Sequence, residues 1–363
     1  MLPEVQRKLD KVRQFMGDRG VEAMVYQQAA NFAWITAGES PLVNQGSEQG
    51  VASVVITGDS AYALTNNIES VRLREDMHLE DKGFEIVESP WHEGPPDCLK
   101  YAVRGATGAD TLMNGSIYLG DMAAPLRYQL EPEEMDRFRW LGAHVGRAVE
   151  DAARCVEPGM TEHKAASLMA VRLYEAGIVP VVTLVAADGR AVVRRHPTPT
   201  DARLDKYAML VACGRKWGLV ASATRIVSIG PLPDDIRRKR DAAAYVDATA
   251  IAATKPQTRV ADVFAAIVRA YSNAGFPDEW RFHHQGGAAG YQSREYLATP
   301  CSEQVVGACQ AFAWNPSVAG TKSEDTIIVT DGRTEIITAT GDWPVRTVLS
   351  ESGEIARPDI LVR

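Results

Sequence analysis

The residues best suited to chemistry lie in one stretch, Trp280–Glu295, which reads WRFHHQGGAAGYQSRE. Two adjacent histidines, His283 and His284, take up and release protons near neutral pH. The glycines after them let the backbone bend tightly and approach a ligand closely. Arg294 carries a planar fork of donors that fits a carboxylate. The stretch predicts a small-molecule site, and the alternative is a glycine-rich turn with solvent-facing histidines.

The composition is that of a soluble globular protein, with 45% apolar and 24% charged residues. A length of 363 residues predicts two domains. The net charge of −8 and the lack of a basic stripe argue against a nucleic-acid partner. The dense cationic run at 237–240 follows two aspartates, so we interpret it as the solvated start of a helix.

Nothing in the sequence predicts a membrane or secreted protein. The N-terminus is charged throughout and lacks the apolar core of a signal peptide. No apolar run approaches the ~20 residues that span a bilayer. The five scattered cysteines form no CxxC pair, so we expect reduced thiols and a cytoplasmic protein.

The elements of the first half alternate between strands and helices. Helical periodicity covers residues 1–18, and a second helix is expected around Ile68–Glu75, with a short helix or loop at Ala30–Trp34. The predicted strands are Val21–Tyr26, Ala52–Ile56, Ala61–Leu64, Phe84–Val87 and Ile117–Leu119. This half is predicted as a smaller α/β domain over residues 1–124.

The second half, residues 125–363, is predicted as the larger domain. Its helices are expected at Leu130–Pro158, from an N-cap at Thr161 to Gly177, at Asp234–Ala253 and at Val260–Ala274. Its strands are expected at Val181–Ala186, Ala208–Cys213, Leu219–Thr224, Thr224–Ser228, Cys309–Asn315, Asp325–Val329 and Thr334–Ile337. Because strands and helices do not alternate strictly, the pattern favours α+β over a doubly wound parallel sheet.

Several phrases of the second half resemble one family in the right order. They are EPGMTE at 157–162, RRHPTPT at 194–200, LVACGRKWGLVASATR at 210–225, the histidine–glycine stretch, and the segments at 311–316 and 323–326. Together they resemble the creatinase/prolidase/methionine aminopeptidase superfamily, which includes aminopeptidase P and has the pita-bread fold of peptidase M24-like proteins. The resemblance implies a C-terminal pita-bread domain and a creatinase-type N-terminal domain.

In peptidases of that superfamily, two metal ions are held by two Asp, one His and two Glu. By the resemblance, the second aspartate falls on Ser222, and the first falls within 211–213, which holds no carboxylate. The metal-binding histidine falls on Gly287 and the first glutamate on Asn315, so that only Glu324 survives. One carboxylate cannot balance two cations. We therefore expect no dinuclear metal centre and no cofactor, while a single metal with other ligands stays open.

The site residues that this sequence retains are similar to those of creatinase, which hydrolyses a C–N bond without metal. His196 matches the substrate-facing histidine of the superfamily, and His283 matches its outer histidine. Arg294 and Glu295 begin eleven residues after His283, where creatinase has an Arg-Glu pair whose arginine holds the substrate carboxylate. The carboxylates that grip the guanidinium there correspond to Thr224 and Asn315, which argues against creatine itself.

The residues support a chemistry that needs no metal. A neutral histidine must then be the general base, and His196 is the candidate. His283 or His284 would donate to the leaving nitrogen or stabilise an oxyanion. Glu324 would orient a histidine or bind a cationic group.

Ser222 and Asn315 would hydrogen-bond the substrate. Structural alternatives stay open: His196 as a loop cap, His284 as a structural residue, and Glu295 as the partner of an arginine. Trp280 and Trp314 are expected in the core or a pocket wall.

The sequence thus predicts a metal-independent hydrolase of a C–N bond in a small carboxylated, amino-acid-derived substrate. Two alternatives are a prolidase or Xaa-Pro-type metallopeptidase with atypical ligands, and an inactive pita-bread protein that binds a peptide or partner. The superfamily also implies a homodimer. No membrane or nucleic-acid partner is expected.

Overall fold

The computed structural model describes residues 1–102, 104–350 and 353–363. The chain divides into an N-terminal unit, Met1–Arg127, and a C-terminal unit, Tyr128–Arg363. This division lies close to the boundary expected between residues 124 and 125. Among the described residues, no helix combines the length and apolar character needed to cross a bilayer.

The N-terminal unit is built on a sheet with the order β4-β3-β2-β1-β5-β6. Helix α1 packs one apolar face, including Val5, Leu9 and Val12, into its core, and ends at Gly20, whose φ of 67° suits a residue without a side chain. The elements are α1 (Pro3–Arg19), β1 (Val21–Gln28), α2 (Ala29–Ile35), β2 (Gln49–Thr57), β3 (Ala61–Asn66), α3 (Ser70–Glu75), β4 (Glu85–Ser89), β5 (Ala106–Ala109), β6 (Ile117–Tyr118) and α4 (Gly120–Ala123). Short 3₁₀ turns cover Trp91–Glu93, Cys98–Tyr101 and Ala124–Arg127.

The first part of the C-terminal unit combines two long helices with an apolar hairpin. Glu131 caps α5 through a capping box with Glu134, and the Thr161 side chain accepts the Lys164 N–H at the start of α6. The elements are α5 (Pro132–Arg154), α6 (Glu162–Glu175), β7 (Val179–Ala187), α7 (Gly189–Val193), β8 (Tyr207–Lys216) and β9 (Leu219–Ser228).

The remaining part adds a second helix pair and a strand-rich region. The elements are α8 (Asp234–Ala253), α9 (Val260–Asn273), a 3₁₀ turn (Glu279–Phe282), β10 (Gly286–Ala289), β11 (Tyr296–Leu297), β12 (Gln310–Trp314), β13 (Ser317–Val318), β14 (Thr321–Lys322), β15 (Asp325–Thr330), β16 (Arg333–Ile336), β17 (Val345–Ser350), β18 (Gly353–Pro358) and β19 (Leu361–Val362).

Two sheets of this unit each pack against a helix pair. The sheet with strand order β19-β9-β8-β7 packs on α5 and α6. The sheet with strand order β11-β10-β12-β15-β16 packs on α8 and α9. Val246, Ile267, Phe312 and Ile327 belong to the buried core of the second layer. The two sheets meet where the Thr224 N–H donates to the carbonyl of Glu324, at 3.1 Å. This junction brings the middle of β9 beside the start of β15.

Several element predictions need correction. The helix expected at Leu130–Pro158 ends at Arg154, and the strands expected to break at Thr224 form one continuous β9. The alternative of a glycine-rich turn is wrong for Gly286–Ala289, which forms β10 and pairs with β12 on one side and, through Gly287 and Ala288, with β11 on the other. The hairpin of β17 and β18 was not predicted. The cysteines of the chain are free thiols, as expected.

Candidate active site

A histidine cluster, defined as His196, His283 and His284, lies within the C-terminal unit. His196 follows α7 in a loop, while His283 and His284 connect the 3₁₀ turn to β10. The ring centroids are 4.9 Å apart for His196 and His283, 5.4 Å for His196 and His284, and 4.7 Å for His283 and His284. His283 is buried, His284 is half-buried and His196 is exposed. The cluster therefore runs from the interior to the surface.

A hydrogen-bond chain orders two of these rings. Ser317 Oγ lies 3.0 Å from His283 Nδ1, and His283 Nε2 lies 3.1 Å from His196 Nε2. The Asn315 amide nitrogen donates to the same His283 Nε2 at 3.4 Å. This network assigns the acceptor role to His283 Nε2 and the donor role to His196 Nε2–H. His283 Nδ1–H then donates to Ser317, and the basic lone pair of His196 lies on Nδ1.

A charge cluster consists of Lys322, Glu324 and Arg294, and Glu324 is the carboxylate that the resemblance aligns with the superfamily's ligand set. Lys322 Nζ lies 2.7 Å from Glu324 Oε2, and Arg294 Nη2 lies 3.2 Å from Glu324 Oε1. The Thr224 hydroxyl also donates to Oε2, at 2.6 Å. Because Glu324 is buried and paired with two cations, it cannot act as a free carboxylate.

The strand pair β8–β9 supplies the neutral wall of the site. Cys213 and Ser222 are cross-strand partners, and the Ser222 hydroxyl donates to Cys213 Sγ at 3.1 Å. Arg294 Nη1 lies 3.5 Å from Ser222 Oγ. Burial raises the pKa of the Cys213 thiol, which favours the protonated form.

The electrostatics keep all three histidines uncharged. Burial, and next the positive charge of Lys322, lower the pKa of His196 and bring that of His283 to about 2. Burial and then Arg294 bring the pKa of His284 to about 4. Burial alone would raise the pKa of Glu324, but the charges of Lys322 and Arg294 outweigh it and hold that pKa at about 2.

The structure brings most of the predicted site residues together. One group joins the three histidines and Asn315 through ring contacts and hydrogen bonds. In the other, Arg294 contacts both Glu324 and Ser222. The charge cluster influences each histidine electrostatically. Glu295 has a structural contact, because its carboxylate accepts the backbone N–H of Tyr291 at 2.9 Å.

Two residues of the site were missed by sequence reasoning. Lys322 lies opposite Ser317 in the β13–β14 pairing, so the same short hairpin supplies the partner of Glu324 and the partner of His283. The sequence did contain a signal for the Lys322–Glu324 pair. The two residues are two positions apart, and side chains two apart in an extended chain lie on the same face. A single serine such as Ser317 carries no comparable signal.

Contacts define the roles of three further residues. Arg225 is structural, because its guanidinium is buried against Glu150 and Asp325 at 3.0 Å each. Trp280 lines an open cleft of about 410 Å³ beside His283 and His284, and Trp314 is buried in the core. The tryptophans therefore have the wall and core positions expected of them.

The residues present do not fit the superfamily's pair of metal ions. Ser222, Asn315 and Cys213 supply no carboxylate, and Glu324 is already paired with two cations. At Gly287 a Cβ would lie 2.1 Å from the Tyr296 carbonyl oxygen, so the backbone leaves no room for the histidine of the ligand set. Hard divalent cations need several anionic oxygens, which this pocket does not offer.

Comparison with known proteins identifies the family of this chain. The family model of metallopeptidase family M24 matches residues 136–331, more than half of the chain. The Xaa-Pro dipeptidase of Pyrococcus furiosus is 20% identical over 352 residues, which cover 93% of this chain and 99% of that protein. The chain belongs to metallopeptidase family M24, and the predicted superfamily is confirmed.

Solved structures show the same fold. The prolidase from Pyrococcus horikoshii OT3 has a TM-score of 0.77 at 16% identity and covers 92% of this chain and 98% of its own. The N-terminal domain of FACT complex subunit SPT16 from Cicer arietinum (chickpea) has a TM-score of 0.69 at 14% identity, covering 93% and 97%. The predicted α+β pita-bread fold with a smaller N-terminal domain is therefore confirmed.

Proposed function

We propose that this protein is a metal-independent hydrolase that cleaves a C–N bond of a small carboxylated, amino-acid-derived substrate. One observation carries the proposal: buried Glu324 is neutralised by Lys322 and Arg294 beside three uncharged histidines. Two cations and one carboxylate leave one positive charge in excess. A pocket of that charge favours an anionic substrate.

Arg294 is the proposed carboxylate anchor. Its Nη2 contacts Glu324 and its Nη1 donates to the Ser293 carbonyl, while its buried Nε has no hydrogen-bond partner among the described residues. A buried donor without a partner is costly, and a substrate carboxylate would satisfy it. Glu295 would support the anchor by fixing the Tyr291 backbone of the same loop.

His196 is the proposed general base. Its Nδ1 would take one proton from water while the water oxygen bonds to the substrate carbon. The C–N bond then breaks, and the same proton passes from His196 to the leaving nitrogen. His283 would steady the ring of His196 through the Nε2 pair, as a base held in orientation by a third group.

Asn315, His284 and Ser222 are the proposed neutral contacts to the substrate. Asn315 Oδ1 and His284 Nδ1 are buried without a hydrogen-bond partner in the part of the chain that the structure describes. A bound substrate with donors and acceptors on its amide or amidino group would satisfy both atoms. Ser222 Oγ lies beside Arg294 and would contact the carboxylate.

The test is hydrolysis after exhaustive treatment with a chelator. Purified protein is assayed against N-acyl, amidino and ureido derivatives of amino acids, with Xaa-Pro dipeptides in parallel. Activity is expected on the first group without metal, lost in His196→Ala and retained in His163→Ala, whose histidine is exposed on α6. Activity confined to metal-loaded protein and Xaa-Pro dipeptides would contradict the proposal.

The second candidate is a prolidase-type metallopeptidase with an atypical ligand set. It is favoured by the likeness to Xaa-Pro dipeptidases along almost the whole chain. The dipeptide arm of the same assay, with Mn²⁺, Co²⁺ or Zn²⁺ added, separates it from the leading proposal.

A third candidate is a binding protein without catalysis. The likeness to a domain of a FACT complex subunit supports it, because that domain has the same fold. Small amino-acid derivatives or peptides that raise the melting temperature without being hydrolysed would favour this function.

We also propose that the protein is cytoplasmic and forms a homodimer. Light scattering coupled to gel filtration would test the homodimer.

A further inference from the structure

We propose that His196, His283 and His284 form a site for one transition-metal ion of the imidazole-binding class, with Zn²⁺ as the probe that tests it. Each histidine offers one ring nitrogen, and these three atoms all lie within 4.8 Å of one another. The site is distinct from the superfamily's carboxylate-bound metal pair, because neither Glu324 nor the position of Gly287 takes part in it.

The spacing suits a single small ion. A tetrahedral Zn²⁺ lies about 2.0–2.1 Å from each nitrogen, which separates two ligand nitrogens by about 3.3 Å. His196 Nε2 and His283 Nε2 are 3.1 Å apart. An ion would therefore need these two rings to separate by only a few tenths of an ångström.

The surroundings of His283 are those of an oriented ligand. Ser317 Oγ holds Nδ1, and that oxygen also accepts from Arg195 Nη1 at 2.9 Å. With Nδ1–H donating to Ser317, the Nε2 lone pair is directed into the cluster. A metal-binding histidine commonly donates its other ring N–H in this way, which fixes the ring and its tautomer.

His284 and His196 complete the site in different ways. His284 is half-buried, and its buried Nδ1 has no hydrogen-bond partner among the described residues. His196 is exposed, so it leaves the ion accessible to water or another ligand at a fourth position. Three protein ligands with one open position are typical of reactive rather than purely structural zinc sites.

The donor set selects the class of metal. Imidazole nitrogens suit Zn²⁺, Cu²⁺ and Ni²⁺, whereas Mn²⁺ and Mg²⁺ prefer carboxylate oxygen. The nearby Glu324 does not change this preference, because Lys322 and Arg294 neutralise it. We therefore expect zinc to bind and manganese to bind far more weakly.

The inference goes beyond the proposed function and does not rest on it. Zinc bound to His196 Nε2 would place the ring proton on Nδ1 and so remove the lone pair that the proposed hydrolysis needs. The ion and the base would therefore exclude each other. If the protein shows no hydrolysis at all, metal binding can still be measured directly.

The experiment titrates chelator-treated full-length protein with ZnCl₂ by calorimetry and measures bound metal by mass spectrometry. One zinc per chain is expected, with the affinity at least ten-fold lower in His196→Ala and in His284→Ala. His163→Ala is the matched control and should bind as the unmodified protein does. Co²⁺ should give the strong visible absorption of a four-coordinate ion.

The paired variant Lys322→Met/Glu324→Gln separates this site from a carboxylate-bound one. It should retain one zinc, because it leaves the histidines in place. Four outcomes would overturn the proposal: no zinc binding, two ions per chain, preference for Mn²⁺, or unchanged affinity in both histidine variants. Melting curves of all variants confirm that a loss of binding is not a loss of folding.

Discussion

Lys322 Nζ lies 2.7 Å from Glu324 Oε2, and both side chains are almost completely buried. The pair lies at the turn from β14 into β15, with Arg294 on the second carboxylate oxygen at 3.2 Å. A divalent cation would have to displace these contacts and leave two buried cations beside it. The ion pair therefore distinguishes this pocket from one built to hold metal on carboxylates.

Removing the carboxylate should destabilise the fold. Glu324→Gln leaves Lys322 buried beside a neutral amide, and breaking a buried ion pair costs about 3–5 kcal/mol. Urea denaturation should show a loss of that order. The paired variant Lys322→Met/Glu324→Gln should cost less, because it leaves no unpaired charge. A single variant as stable as the unmodified protein would show that the pair is not strongly coupled.

Stability should fall as the pH drops below about 6.5, the usual pKa of an unfolded histidine. In the folded protein the pKa is about 4 for His284 and about 2 for His283. Between the unfolded pKa of about 6.5 and the lower folded pKa values, the unfolded chain binds more protons than the folded protein. Acid therefore favours unfolding. The histidines' contribution is complete above 6.5 and is lost as the pH falls towards the folded pKa values. Urea midpoints measured from pH 7 to pH 4 should decrease.

A histidine variant tests the origin of that pH dependence. His284→Gln should flatten the decrease between pH 6.5 and 4, because glutamine does not titrate there. His163→Gln, on the exposed face of α6, is the control and should keep the original slope. Equal slopes in both variants would mean that the dependence arises elsewhere.

The rate of the proposed hydrolysis should depend on a histidine pKa below 6.5. His196 must be neutral to act as a base, and burial together with Lys322 lowers its pKa. The acid limb of kcat/KM should therefore lie below pH 6.5. Lys322→Met removes a charge that opposes protonation and should move that limb to higher pH. Exposed Lys206→Met should leave it in place, and identical limbs in the two variants would contradict the electrostatic argument.

Much of the fold was predictable because the spacing of apolar residues along the chain indicates which segments are buried. Residues 208–213 of β8 are continuously apolar, and their buried pairing with β9 follows directly from that pattern. Strand β10 was missed, because Gly286–Ala289 lacks the branched or aromatic residues that mark a strand. Its pairing depends on how closely β11 and β12 approach, which a single sequence does not reveal.

The site was predictable in its members but not in its contacts. The resemblance aligned His196, His283 and Glu324 with known positions, and in the structure the charge of Glu324 acts on both histidines. Arg294 was expected to be free for a substrate, yet it pairs with Glu324. Lys322 was overlooked because lysines are rarely buried. Which charges pair inside a protein depends on distances between strands, and sequence spacing does not fix those distances.

Ser317 should act as a positioning residue for the proposed reaction. Ser317→Ala removes the oxygen that holds His283 Nδ1, and with it the orientation passed to His196. We expect kcat to fall by about ten-fold to a hundred-fold with little change in KM, by analogy with residues that orient metal-bound histidines. Buried Ser302→Ala is the control, since its hydroxyl contacts Thr299 outside the site. An equal loss in both variants would point to a general structural effect.

Gly287 should tolerate no side chain, and this explains why the metal-binding histidine cannot simply be restored. A Cβ there would lie 2.1 Å from the Tyr296 carbonyl oxygen, a backbone atom of the paired strand β11. Gly287→Ala should lower the free energy of unfolding by about 1–3 kcal/mol, the usual cost of overpacking. At Gly307 the nearest atom to a Cβ is 3.5 Å away, so Gly307→Ala should cost much less. Equal denaturant midpoints for the two alanine variants would show that β10 and β11 can separate. If β10 and β11 can separate, a variant with Gly287→His, Ser222→Asp and Asn315→Glu is expected to bind metal through its new carboxylates. If the two strands cannot separate, the same variant is expected not to bind it.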